Sequence, residues 1–160
     1  MRQNGRFKKK DALILLMIEC SCHIDFCCAH RILGHDGKCA NLHGHNYDLL
    51  LYAKGERLDE LGRVIDFSAL KKEIKDWIDN NWDHNLLVFE KDEGLMAIKD
   101  NLLQEKSPFV CCFNTTAENM ALYLINKVCP DLFDKLNIVI SKIELSETNK
   151  NKVIMMRERD

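Results

Sequence analysis

At 160 residues, 46% apolar and 30% charged, the chain has the profile of one soluble globular domain that needs no disulfide or metal staple. A formal net charge of −2 gives no electrostatic case for nucleic acid or an anionic membrane as partner. Eight cysteines with no Cys-x-x-Cys argue against a thiolate zinc module and for small buried hydrophobes in a reducing cytoplasm. Lys8-Lys9-Lys10 before the apolar run 12–18 imitates a secretion signal, but Glu19 ends the run after seven residues and no small-x-small site follows. Residues 1–16 therefore read as an N-terminal extension, with Met17 as an alternative translation start, and residues 17–160 as a single domain.

Residues 13–29 favour a strand, with Ile18, Cys20, Cys22, Ile24, Phe26 and Cys28 alternating against Glu19, Ser21, His23 and Asp25. A turn at 34–38 precedes a second strand over 41–53. Leu70, Ile74, Trp77 and Ile78 recur at helical spacing, with Asp66 or Ser68 as the cap. Residues 85–110 read as irregular. Thr115-Thr116-Ala117-Glu118 has the form of a capping box for a second helix, with the apolar stripe Ala117, Ala121, Leu124, Ile125 and Val128 and Pro130 as its stop. Strands over 136–147 and 153–156 complete a small α+β domain with an antiparallel sheet.

The chemistry concentrates around Cys39-Ala40-Asn41-Leu42-His43-Gly44-His45. On a strand, residues i and i+2 share a face, so His43 and His45 can reach one metal ion. A catalytic zinc site commonly has three protein ligands and one open position, and His30, at the end of the neighbouring strand, is the natural third. Cys39 is either a fourth ligand or, since a nearby cation favours the thiolate, a base or nucleophile. Asp83-His84 suggests a proton relay, although adjacent strand residues face opposite ways and a direct pair requires a turn. Glu147 is either a solvated strand end or an anchor for an amino-pyrimidine edge. His23 and His35 read as a polar-face and a turn histidine.

Taken in order, these pieces resemble one family. Phe26-Cys27-Cys28-Ala29-His30-Arg31-Ile32-Leu33, Lys38-Cys39-Ala40-Asn41-Leu42-His43-Gly44-His45-Asn46-Tyr47, Val64-Ile65-Asp66-Phe67, Trp82-Asp83-His84-Asn85-Leu86-Leu87, Asn114-Thr115-Thr116-Ala117-Glu118-Asn119 and Glu147-Thr148 are similar to motifs of the 6-pyruvoyltetrahydropterin and 6-carboxytetrahydropterin synthase superfamily. The resemblance implies a tunnelling fold: a four-stranded antiparallel sheet with two helices on one face, oligomerising into a barrel, usually as a hexamer. It implies zinc on His30, His43 and His45, Cys39 as the base, Asp83 and His84 as the relay, and Glu147 as the pterin anchor. It also implies that the loop carrying Thr115 and Thr116 lines the pterin pocket. The implied substrate is 7,8-dihydroneopterin triphosphate, with 6-carboxytetrahydropterin synthesis toward queuosine as the expected reaction and 6-pyruvoyltetrahydropterin synthesis as the alternative. From another class, a non-catalytic zinc-stabilised binding module would use Cys39 to close the coordination shell. Cys27-Cys28, Asn114-Thr115 and a long 88–110 segment depart from the family pattern.

Overall fold

A computed structural model describes residues 18–157 apart from 56 and 103; the N-terminal extension and the Met17 reading fall outside the described residues. Strand β1 (Glu19–His30) buries Cys22, Ile24, Phe26, Cys28 and His30, every second residue, so its apolar alternation ends directly in a buried imidazole. Strand β2 (His43–Lys54) runs antiparallel to it, pairing Phe26 with Tyr47, Cys28 with His45 and His30 with His43. Helix α1 (Phe67–Asn81) starts where the Asp66 carboxylate accepts the backbone N–H groups of Ser68 and Ala69, and buries Leu70, Ile74 and Ile78.

Segment 85–110 corrects the expectation of irregular structure. It contains β3 (Asn85–Phe89), helix α2 (Glu93–Ile98) and β4 (Phe109–Cys111). β3 pairs parallel with β1 and β4 parallel with β3. Four of the five β3 residues are buried, so it shows a continuous apolar run in place of alternation. Helix α3 (Ala117–Tyr123) continues through a π-helical turn, Leu124–Val128, into α4 (Cys129–Phe133). Pro130 therefore does not stop the helix; it lies in the first turn of α4, just after the wider π turn, where its missing N–H is tolerated. β5 (Val139–Ser146) and β6 (Lys152–Met156) follow, both antiparallel to their neighbours.

The sheet order is β4-β3-β1-β2-β5-β6. The expected four antiparallel strands, β1, β2, β5 and β6, are its larger part, and β3 and β4 add a short parallel extension beyond β1. Alternation on β1 and β2 gives the sheet one face packed with Leu70, Ile74, Ile78, Trp82, Met120 and Leu124 of the helical segments. Its other face carries partly or largely exposed side chains, among them His23, Asp25, Asp48 and Tyr52. Among the described residues, no helix is long and apolar enough to cross a membrane.

Candidate metal and pterin site

His30, His43 and His45 converge on the helix-covered face of the sheet. Their ring centroids are 4.7 Å (His30–His43), 5.4 Å (His30–His45) and 4.9 Å (His43–His45) apart. One ring nitrogen from each lies within 4.8 Å of the others, close enough to hold a metal ion. Two of the rings are oriented by backbone carbonyls: His30 Nδ1 donates to the Thr115 carbonyl at 2.6 Å and His43 Nδ1 to the Asn41 carbonyl at 2.8 Å. Each such bond fixes the proton on Nδ1 and leaves the Nε2 lone pair for a ligand, the usual support for a metal-bound imidazole. His43 Nε2 is buried and has no hydrogen-bond partner. A buried polar atom without a partner is costly unless something fills the position, so the trio fits a cation. Burial, and then neighbouring His43 and His45, push His30 down to about 4 despite the opposing bond to Thr115, which keeps its ring neutral and able to ligate at neutral pH.

Gly44 sits between His43 and His45 because a Cβ there would approach the Cys28 carbonyl oxygen to 3.0 Å across the strand pair. Tyr47, which sequence reasoning did not single out, links the trio to Glu147. Its hydroxyl is 3.4 Å from His30 Nε2 and donates to Glu147 Oε1 at 3.4 Å. Burial, and behind it the nearby Glu147 carboxylate, raises the Tyr47 pKa, so the phenol stays protonated and remains a donor. The position was readable as the next inward residue after His43 and His45, since i, i+2 and i+4 share a face.

Two loops close around this end of the sheet. The Ile32 N–H donates to the Cys39 carbonyl at 2.8 Å, holding the single 3₁₀ turn Lys38–Ala40 against the end of β1. Asn114 clamps Leu33 from both sides, accepting its N–H at 3.0 Å and donating to its carbonyl at 2.9 Å. Thr115 is buried and donates its hydroxyl to the Arg31 carbonyl at 3.0 Å. Thr116, not Thr115, is the N-cap of α3, accepting the Asn119 N–H at 3.3 Å. The capping box is thereby corrected: the cap falls one residue late, so Glu118 occupies the second helical position and cannot complete the box. Both threonine hydroxyls are engaged within the fold, that of Thr115 as a donor and that of Thr116 as an acceptor.

Asp83 and His84 do form a direct pair, with His84 Nδ1 2.9 Å from Asp83 Oδ2. The required turn exists: His84 has φ +52°, a left-handed conformation that frees it from strand alternation. Lys106 holds the turn by donating to the carbonyls of Asp79 and Asp83 at 2.5 and 2.8 Å. Burial works to raise the Asp83 carboxyl, but the Cys27 N–H at 2.9 Å and His84 outweigh it and lower its pKa. This pair does not join the histidine trio. It lies beside Cys27, and Cys27 alternates to the face of β1 opposite His30. Within one protomer the two groups form separate clusters.

A family model described as 6-pyruvoyl tetrahydropterin synthase matches residues 19–158. The chain belongs to this family. A Rickettsia typhi relative called 6-carboxy-5,6,7,8-tetrahydropterin synthase is 41% identical over 82% of this chain and 95% of its own length. A Haemophilus influenzae relative of the same description is 37% identical over 82% and 94%. Among solved structures, 6-pyruvoyl tetrahydropterin synthase from Caenorhabditis elegans superposes with a TM-score of 0.64 at 27% identity, covering 89% of this chain and 97% of the other. Within this synthase family the α+β tunnelling fold is the expected architecture, and the sheet and helices described above have it.

Proposed function

We propose that this chain is a zinc-dependent 6-carboxy-5,6,7,8-tetrahydropterin synthase, converting 7,8-dihydroneopterin triphosphate to 6-carboxytetrahydropterin with release of acetaldehyde and triphosphate, toward queuosine. The observation that carries the reading is the buried, partnerless His43 Nε2 converging with His30 and His45, one tyrosine away from Glu147. The synthase relatives at 37–41% identity support the 6-carboxy reaction over the 6-pyruvoyl one.

In this reading His30, His43 and His45 hold zinc, whose chemistry when bound is Lewis acidity toward hydroxyls of the substrate side chain. Glu147 accepts hydrogen bonds from the amino-pyrimidine edge of the pterin, with Tyr47 orienting the carboxylate. Cys39, on the loop fixed by Ile32, takes a proton from the pterin side chain as a general base. His84 moves protons at its ring nitrogens, and Asp83 stabilises the imidazolium that forms. The placement of His84 on the other sheet face supports a site closed by a second copy of the chain, whose Asp83–His84 pair reaches the substrate held by the first. A barrel-forming hexamer provides such neighbours.

Incubation of the zinc-loaded protein with 7,8-dihydroneopterin triphosphate tests the reading. Acetaldehyde and 6-carboxytetrahydropterin are the expected products. Accumulation of 6-pyruvoyltetrahydropterin moves the chain to the other branch, and absence of turnover with zinc bound leaves a binding module.

A further inference from the structure

Cys27 belongs to none of the roles above, yet its surroundings are chemically specific. One ligand atom each from Cys27, Asp83 and His84 lies within 4.8 Å of the others. Cys27 and His84 line a groove of about 400 Å³ that extends over Ala29, Gly44 and Asn46 and is bordered by His45. Cys27 is half-buried and His84 is exposed, so both are accessible from the groove. Three of the other cysteines behave as packing: burial pushes Cys22 up to about 11 and Cys111 and Cys129 up to about 12, holding them as inert thiols.

We propose that Cys27, Asp83 and His84 form a second divalent-metal site, for zinc or another borderline ion, on the sheet face opposite the histidine trio. Thiolate, imidazole and carboxylate are the mixed donor set that such ions favour over magnesium or calcium. The backbone prepares the site. Cys27 N–H donates to Asp83 Oδ1 and His84 N–H donates to the Cys27 carbonyl at 2.7 Å, which fixes the two segments side by side. His84 Nδ1 and Asp83 Oδ2, 2.9 Å apart, share one proton. An ion takes that proton's place after the pair opens by a few tenths of an ångström, since metal–ligand bonds of about 2.0–2.2 Å set tetrahedral N···O separations near 3.4 Å. Binding at Nδ1 moves the imidazole proton to Nε2 and displaces the Cys27 thiol proton, so affinity rises with pH. Resting on the relay role proposed for His84, occupancy withdraws the imidazole from proton transfer, and excess metal inhibits the enzyme that one equivalent activates.

Cobalt(II) titration of the metal-free protein tests the site without turnover. The expected result is two equivalents per protomer, the second accompanied by a near-ultraviolet thiolate-to-cobalt charge-transfer band. The band persists in Cys39→Ala, disappears in Cys27→Ser and weakens in His84→Asn, a substitution that keeps a residue tolerant of positive φ. A band that survives Cys27→Ser, or binding that stops at one equivalent, overturns the proposal. A band lost with Cys39 and kept without Cys27 overturns it too, and removes Cys39 from the role of base. In turnover assays, Cys27→Ser requires at least about tenfold more zinc for half-inhibition, since loss of even a supporting partner costs a metal site about 10–100-fold. Equal inhibition of both proteins with the cobalt band present separates a sound site from a failed relay assignment.

Discussion

Cys39 is held by its backbone and not by its thiol, through the bond from Ile32 N–H to its carbonyl. Replacing the side chain therefore leaves the loop in place. Cys39→Ala is expected to keep one zinc per protomer, measured by metal analysis, while kcat falls by about 10²–10⁴, the usual contribution of a positioned acid or base. Loss of zinc with the thiol would make Cys39 a ligand. His30 carries a different prediction. Its folded value of about 4 lies below the unfolded value near 6.5, so on acidification the unfolded chain takes up the proton first. The metal-free protein should lose stability as pH falls from about 6.5 to about 4, by up to about 3 kcal/mol, and level off below. Thermal melts of the chelated protein check this, and His30→Asn should flatten the slope across that window. That His43 and His45 share a face was legible in the sequence from strand alternation, and the β1–β2 pairing brings His30 beside them. Tyr47 obeyed the same rule and was overlooked because a tyrosine carries no metal-ligand signal.

At the level of elements, two loops far apart in sequence are joined by one side chain. Asn114→Ala removes both bonds to Leu33 and leaves a backbone donor and acceptor unpaired. The expected cost is about 1–3 kcal/mol in a denaturant titration. Because the adjacent Thr115 carbonyl orients His30, zinc affinity should weaken in the same variant; unchanged affinity would show that the clamp does not transmit to the ligand. β1, β2, α1 with its Asp66 cap, and the apolar stripe of α3 were readable from local pattern. β3 was not, since a strand buried on both faces lacks a period. Nor was the passage through Pro130, because a π turn has no sequence signature strong enough to override the expectation that proline ends a helix. The Asp83–His84 contact was conditional on a turn at that point, and the left-handed φ of His84 is that turn.

For the whole molecule, the separation of the trio from Asp83–His84 has a direct test. Cys39→Ala and His84→Asn are each expected to be inactive as homo-oligomers. Unfolded together and refolded as mixed assemblies, they should regain part of the wild-type rate, because some sites then combine an intact Cys39 with an intact His84 from a neighbour. No recovery, with mixed assembly verified by mass, would place both residues in one protomer's site. The cross-strand pairing His30–His43 and Cys28–His45 has one more consequence. A slip of β2 by a single residue would turn His43 and His45 to the other face together. The native register presents three imidazoles to one point, so an ion held by all three would penalise that slipped form of the sheet. A metal ion on the trio would thereby proofread the strand alignment on which the rest of the fold is built.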